Sequence, residues 1–495
     1  MLLFYHPCYY YVQKLSIQNQ GSLFMAISQT AKSYQVLAQQ HRELLQQEIE
    51  RLSLHVDWDR KKLAAFQLAQ LKSLLSYARQ HSQFYRRHLA SLNIEKMHSI
   101  HDLHRIEPMT KSDVMNNWDE MVCTPHLTLQ EARQHLASLK HDQYFKQQFH
   151  ILSTSASSGK PGIFGYGWEE WPTYLAGSQR WINAVARKQG ITMETAVSVQ
   201  VGPHIANHMT AAMYDTFNAG NPLRHRISVF AQTEIIVQQL SEFFPDILFC
   251  YPSTMIALLQ DEHQEALQIK PKIIVLNSET LSTILRQRVC ERWPSAMVLN
   301  LMGSTEGGVM AINCEKQHGL HVNEDLVILE PVTRAGMPVE LGKLADKFYL
   351  TNLFNYTLPL IRYEMQDQIS FSKNTCSCGS VYQLMDEPHG READIFVYDN
   401  KITILCDIVI GGVLDRLTSL SGFHVWQTAS GIELGILAHE YADTTRLEIE
   451  LSHCLSEAGL KNPTITIKLL NELIRGKTGK ILHYIPLQLS TRRFP

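Results

Sequence analysis

The segment Ser153–Gly167 reads STSASSGKPGIFGYG, a run of hydroxyls and glycines around one lysine. Backbone N–H groups in such a loop, joined by Ser and Thr hydroxyls and an ammonium, suit a polyanionic phosphate. A solvated Ser/Gly loop is the other reading of the same residues. A Walker A loop is excluded, because its spacing is absent and Pro161 follows Lys160. The stretch Asn300–Gly308 (NLMGSTEGG) places two hydroxyls and the Glu306 carboxylate on a turn after an apolar run. Ligand sites of α/β sheets form at such strand ends, and one carboxylate beside substrate phosphates is a common way to hold Mg²⁺. A plain polar turn is the alternative. Leu360–Ile369 (LIRYEMQDQI) ends near Asp367, which could accept hydrogen bonds from both hydroxyls of a ribose or simply face water. Gly390–Asp394 (GREAD) and the basic Arg475–Lys480 (RGKTGK) are two further segments that surface decoration would also explain.

These groups need elements to carry them. Short apolar runs at Ala196–Val201, Lys272–Leu276 and Met297–Leu301 read as strands. Helical patterns at His208–Asn218, Thr233–Phe243 and Leu281–Arg292 alternate with them, as in βαβ units. From about 320 to 372 the runs crowd together as in antiparallel hairpins. Between 392 and 495 they surround one helix, Thr445–Ala458, in a small α+β unit. Ala31 to Leu92 has helical spacing of Leu and Val and no Gly or Pro to break it.

Composition narrows the partners. With 45 basic and 48 acidic residues the net charge is −3, which lacks the concentrated positive field that nucleic acid or an acidic membrane surface requires. Nine cysteines in 495 residues are too few for a disulfide scaffold and fit reduced thiols in the cytoplasm. No apolar stretch reaches the roughly 18 residues of a membrane span. The apolar start (MLLFYHPCYYYV) lacks a basic flank before Lys14, so it does not read as a secretory signal, and Met25 is an alternative start.

Taken in order, the Ser/Gly/Lys loop, the strand followed by Gly-Ser-Thr-Glu, the Ile-Arg-Tyr-x-x-x-Asp, the Gly-Arg and the terminal Gly-Lys resemble the adenylate-forming superfamily, and its phenylacetate–CoA ligase branch most. Leu74–His88, Pro108–Lys111, His318–Val322 and Leu350–Tyr363 extend the resemblance over residues 60 to 485. It implies an α/β fold: an N-terminal extension (1–59, partly helical), a large multi-subdomain adenylating domain (60–391) and a small mobile α+β C-terminal domain (392–495). It implies activation of a small-molecule carboxylic acid by ATP with Mg²⁺, then thioester formation with coenzyme A. A separate carrier protein or an amine is the alternative acceptor, a degenerate nucleotide-binding relative is the alternative role, and a homodimer is an open assembly. By motif match, Thr154, Ser155, Ser157, Ser158, Gly159 and Lys160 cradle the phosphates. Ser278 and Glu279 flank adenine; Met302, Gly303, Ser304 and Thr305 border adenine and the α-phosphate; Glu306 takes Mg²⁺; Asp367 takes the ribose. Arg391 closes the large domain, Asp394 lies near the hinge, and Lys480, rather than Lys477, reaches the α-phosphate. Ala156, Met302 and Gln366 depart from the family pattern, where Gly, an aromatic residue and Gly are usual.

The same branch raises a metal question. Cys314, His321, Cys376 and Cys378 compose a Cys₃His set, the make-up of a closed structural zinc site, with buried unliganded thiols as the alternative. His204 and His208 are read as lining the acid pocket or as ordinary helix packing.

Overall fold

The computed structural model describes residues 33–154, 162–260, 263, 265–391, 395–398, 402–406, 409–410, 412–414, 420–438, 443–475 and 481–487. Two helices open it, α1 (Tyr34–Ser53) and α2 (Arg60–His81). The break between them is made by caps, not by Gly or Pro. The Asp59 side chain accepts from the Lys62 N–H and starts α2, and Ser82 caps the next short turn through the Tyr85 N–H.

A hairpin follows, β1 (His150–Ser153) with β2 (Ile163–Tyr166), then the long helix α3 (Glu170–Lys188). Strands and helices then alternate: β3 (Ser198–Gly202), α4 (Met209–Phe217), β4 (Arg224–Ser228), α5 (Thr233–Phe243), β5 (Ile247–Cys250), α6 (Pro252–Leu258), β6 (Ile273–Asn277), α7 (Thr283–Arg292) and β7 (Met297–Ser304). Antiparallel β8 (Gly308–Asn313) and β9 (Leu320–Val322) come next. A separate antiparallel sheet contains β10 (Val327–Val332), β11 (Lys347–Asn352) and β12 (Tyr363–Met365). Beyond it lie β13 (Asp367–Gln368), β14 (Leu384–Met385) and β15 (His389–Arg391).

The central sheet has the order β14-β9-β8-β7-β6-β5-β3-β4. Strands β3 to β7 are parallel, and β6, with Ile273, Ile274, Val275 and Leu276 all fully buried, is covered on both faces as parallel strands must be. β4 (RHRIS) is the exception in composition: only Ile227 is buried, because this strand forms the sheet's edge. The C-terminal lobe has the hairpin β16 (Ile395–Val397) with β17 (Thr403–Leu405). Its sheet contains β18 (Leu420–Gln427), β19 (Gly431–Ala438), β20 (Thr464–Leu469) and β21 (Tyr484–Ile485), in the order β20-β19-β18-β21. Helix α8 (Thr444–Glu457) buries Leu447, Leu451 and Leu455 against Val425, Ile432, Leu434 and Ile436 of that sheet.

The first helices are built into the large domain. Ile49 and Leu52 join its main core, and a buried ion network ties them down. The Arg180 guanidinium of α3 meets Asp325 at 2.5 and 2.7 Å and Asn323 at 2.7 Å, and His55 Nδ1 lies 2.8 Å from the same carboxylate. Arg180, with His55, holds the Asp325 carboxyl well below its ordinary range despite full burial. A second network locks α1 to the chain on either side of the hairpin. His41 accepts from the Tyr144 hydroxyl at Nδ1 (2.8 Å) and donates from Nε2 to the Trp168 carbonyl (2.9 Å), while Tyr34 donates to Asp142 at 2.6 Å.

His41 makes the fold acid-sensitive above the carboxylate range. It is fully buried, and desolvation pushes its pKa down to about 3 from 6.5. The unfolded chain therefore takes up a proton that the folded chain refuses. The contribution is complete above pH 6.5 and falls by about 1.4 kcal/mol per pH unit below it. Between pH 6.5 and 5 this imidazole is expected to cost about 2 kcal/mol of stability. His41→Gln should lower the pH dependence of the urea midpoint by close to one proton over that interval; an unchanged slope refutes the assignment.

Candidate functional site

Two of the segments singled out by sequence, Ser278–Glu279 after β6 and the 304–306 turn after β7, lie at the C-terminal edge of the parallel strands. The turns after β3, β5, β6 and β7 all open there, where ligands of open α/β sheets bind.

The β1–β2 hairpin carries the Ser/Gly/Lys loop. Its base is clasped twice: the Thr154 N–H donates to the Gly162 carbonyl (2.9 Å) and the Gly162 N–H to Thr154 Oγ1 (2.9 Å). Asn207, in the turn after β3, binds the same base. Its amide donates to Ser153 Oγ (2.9 Å), and its carbonyl accepts from the Ser153 N–H (3.2 Å). Ser155, Ala156, Ser157, Ser158, Gly159 and Lys160 lie outside the described residues.

After β6, Ser278 adopts a left-handed backbone (φ +69°), and its hydroxyl bonds Asn277 Oδ1 at 2.9 Å. This conformation is unusual for a residue with a Cβ and marks a sharp turn at the sheet edge. Glu279 then caps α6, accepting from the Ser253 N–H (2.8 Å) and hydroxyl (3.1 Å).

The turn after β7 is held at three successive carbonyls by three different elements. Tyr174 of α3 donates to the Ser304 carbonyl (2.6 Å), Tyr166 of β2 to that of Thr305 (2.5 Å) and Asn352 of β11 to that of Glu306 (2.9 Å). Gly308 closes the turn at φ +71°, where a Cβ would lie 3.0 Å from the Phe354 ring. Gly303 is exposed, Ser304 and Thr305 are half-buried, and Glu306 is buried with its Oε1 3.5 Å from the Tyr363 hydroxyl. Met302 packs into the main core at 8% exposure, just before a bulge in the β7–β8 pairing.

Asp367 stands opposite Arg391 in the β13–β15 register, with an irregularity immediately after Asp367. Nothing is described of the Arg391 side chain, and Asp394, Lys477 and Lys480 lie outside the described residues. The lobe that carries them does reach the site: the Ile481 N–H points to Glu279 Oε1 at 3.4 Å. Gln366 is exposed and donates to Glu364 at 2.6 Å.

Cys314, His321, Cys376 and Cys378 converge as the sequence suggests, with their four ligand atoms within 4.8 Å of one another. Cys314 and Cys376 sulfurs are 3.5 Å apart, as are Cys378 Sγ and His321 Nε2. Tetrahedral zinc with Zn–S bonds of about 2.3 Å puts sulfurs roughly 3.8 Å apart, so the donor set fits that ion. Burial pushes His321 down to about 4, keeping it neutral, and raises the Cys314 thiol. A bound cation would reverse the latter shift. The N–H groups of Lys316 and Ser380 point at the Cys314 and Cys378 sulfurs at 3.4 Å, and Trp181 stacks on His321. His208 is a helix cap, accepting from the Thr210 N–H at Nδ1.

Sequence reasoning missed Tyr166, Tyr174, Asn207, Asn352 and Glu170. Glu170 is the most consequential. Its carboxylate is buried at the first turn of α3 and accepts from the N–H groups of Gly167 (2.6 Å), Tyr356 (2.8 Å) and Thr357 (2.8 Å) and from the Thr357 hydroxyl (3.1 Å). Burial pushes its pKa up to about 7 against the pull of those donors.

No family model matches the chain. A phenylacetate–coenzyme A ligase of Thermus thermophilus is 23% identical over 356 residues, covering 68% of this chain and 72% of that protein. A phenylacetate–coenzyme A ligase of Pseudomonas putida is 26% identical over 227 residues, covering 44% of this chain and 49% of that protein. A solved 2-hydroxyisobutyryl-CoA ligase, in the postadenylation state with an acyl-AMP, superposes with a TM-score of 0.67 at 18% identity over 86% of this chain and 90% of that one. In the thioesterification state with CoA, the same ligase gives 0.56, over 87% and 90%. The chain thus has the α/β fold of adenylate-forming acyl-CoA ligases and is similar in sequence to phenylacetate–CoA ligases.

Glu170→Gln is expected to lower stability by about 1–3 kcal/mol, because an amide nitrogen would face either the Gly167 N–H or the three donors of the 356–357 loop. The denaturant midpoint measures it; a shift near zero would show that Glu170 is replaceable.

Proposed function

We propose that this chain is an AMP-forming acid–thiol ligase. A carboxylate oxygen of the acid attacks the α-phosphorus of ATP, giving an acyl-adenylate and pyrophosphate. The sulfur of coenzyme A then attacks the acyl carbon and AMP leaves. The observation that carries this reading is the convergence of the phosphate-loop base, the Ser278–Glu279 turn and the 304–306 turn on one edge of the sheet, in a fold whose solved counterpart holds an acyl-AMP.

The chemical demand is to gather two anions and to stabilise charge growing on the α-phosphate, which favours preorganised dipoles and orientation over covalent catalysis. We assign the Thr154–Lys160 loop to the phosphates, Ser278, Glu279, Met302 and Gly303 to the adenine surroundings, and the Ser304 and Thr305 hydroxyls to the α-phosphate. With their carbonyls occupied by Tyr174, Tyr166 and Asn352, residues 304–306 are held in place before substrate arrives. Glu306 is the carboxylate suited to hold Mg²⁺, which would bring positive charge to the phosphate oxygens. Asp367 is assigned to the ribose, with Arg391 across the strand pair supplying a cation, and Lys480 to the α-phosphate.

Among the described residues no helix is long and apolar enough to cross a membrane. We place the protein in the cytoplasm, where thiols stay reduced and zinc can occupy the Cys₃His cluster as a structural ion.

ATP–pyrophosphate exchange over a panel of aryl, fatty and hydroxy acids tests the reading. Wild type is expected to exchange with at least one acid and to release AMP when coenzyme A is added; no exchange with any acid overturns it. AMP release only with a carrier protein or an amine would replace the acceptor. Lys480→Ala should reduce exchange by at least a hundredfold while leaving the thermal midpoint unchanged. For the cluster, metal analysis is expected to give about one zinc per chain in wild type and none in Cys376→Ser; a metal-free wild type ends that assignment.

A further inference from the structure

His424 is a fully buried imidazole on β18 that neither the phosphate turns nor the metal cluster uses. Its two ring nitrogens engage two points of the chain eight residues apart. Nδ1 lies 2.7 Å from the Leu482 carbonyl, and Nε2 lies 2.8 Å from the Ile474 N–H. The partners dictate the protonation state. A carbonyl only accepts and a backbone N–H only donates, so Nδ1 carries the hydrogen and Nε2 the lone pair. A cationic ring would set N–H against N–H at Ile474. Burial lowers the His424 pKa below its ordinary value, with His483 adding to the effect, in keeping with a neutral ring.

The backbone pairs just inside these points, Arg475 with Ile481 in an antiparallel bridge. The segment closed in this way contains Lys477 and Lys480, which lie outside the described residues. From the large domain, Glu279 accepts from the Ile481 N–H and stands in electrostatic range of Arg475. Glu279 also fixes Ser253 at the start of α6, and α6 packs on β18. The contacts form a closed ring from β18 through His424 to the paired residues Arg475 and Ile481, across to Glu279, and back through α6.

We propose that His424 is a positioning residue for the adenylating step, one neutral imidazole setting the separation of the two flanks from which Lys480 is presented. The proposal rests on the ligase reading above for the role of Lys480, and on the two hydrogen bonds alone for the clamp.

The test uses the full-length chain. Nitrogen NMR of wild type is expected to show His424 protonated at Nδ1, the minor form of free histidine; an Nε2–H or cationic ring at pH 7 overturns the proposal. His424→Leu, with neither donor nor acceptor, should raise hydrogen exchange at 470–475 and 481–485 and not at β19. It should reduce ATP–pyrophosphate exchange roughly ten- to hundredfold in kcat at little change in KM for ATP. Transfer of a supplied acyl-adenylate to coenzyme A should remain within about twofold of wild type. His424→Gln, which offers one donor and one acceptor, should restore most of the exchange rate. Equal loss of both half-reactions, a Leu variant as fast as wild type, or no rescue by Gln overturns the positioning role. If wild type itself fails to exchange with any acid, the ligase reading falls, and the hydrogen-exchange result still decides whether His424 clamps the flanks at 474–475 and 481–482.

Discussion

Two parts of the candidate site are joined through one buried carboxyl group, that of Glu170. Glu170 is buried where α3 begins, so the helix's own positive end helps to hold its charge. Its four donors come from both sides of the site: Gly167 at the end of the phosphate-loop hairpin, and Tyr356 and Thr357 from the loop after β11. That loop begins next to Asn352, which fixes Glu306, and the hairpin supplies Tyr166, which fixes Thr305. This one carboxyl group thereby sets the distance between the elements that hold residues 304–306 and the hairpin that carries the Ser/Gly/Lys loop. Burying it unpaired would be costly, and four hydrogen bonds are what make the arrangement tolerable.

A second polar centre does the same for the far side of the sheet. Arg180 and Asp325, both fully buried, join α3 to the turn after β9, and His55 brings in the end of α1. The next residue along α3, Trp181, stacks on His321 of the thiol cluster. The cluster thus shares its support with the N-terminal helices, and the 376–378 turn is fastened to the sheet edge through it. Asp367 and Arg391, paired across β13 and β15, bracket this excursion.

Much of this was readable in the residues. Strands β6 and β7 and helix α5 fall where apolar runs and spacing put them, because burial on a sheet or along a helix face leaves a periodic trace. The Cys₃His set was readable because the family resemblance raised the question and Cys376 and Cys378 stand two residues apart. Strand β4 was not, since an edge strand pairs through its backbone and RHRIS leaves no apolar pattern. The break after α1 was missed because Asp59, an ordinary polar residue, caps the start of α2 there. Tyr166, Tyr174, Asn207 and Asn352 were silent for another reason: each binds a backbone group far away in sequence, and no local pattern announces a donor waiting for a distant partner. Met302, expected beside adenine, packs inward and fills core space.

The order of the central sheet has a bearing on how the chain is made. Apart from β4, its strands run β3, β5, β6, β7, β8, β9, β14 from one side to the other, the order in which a ribosome delivers them. Each strand adds to the edge that its predecessor has just formed, so synthesis exposes one growing edge at a time. That edge is the hazard in any nascent sheet, since its free N–H and C=O groups invite another chain. Growth stops at β14, and the thiol pair at 376 and 378 emerges just before it. The cluster of Cys314, His321, Cys376 and Cys378 thus joins the chain just ahead of β14 to β9, the strand on which β14 adds.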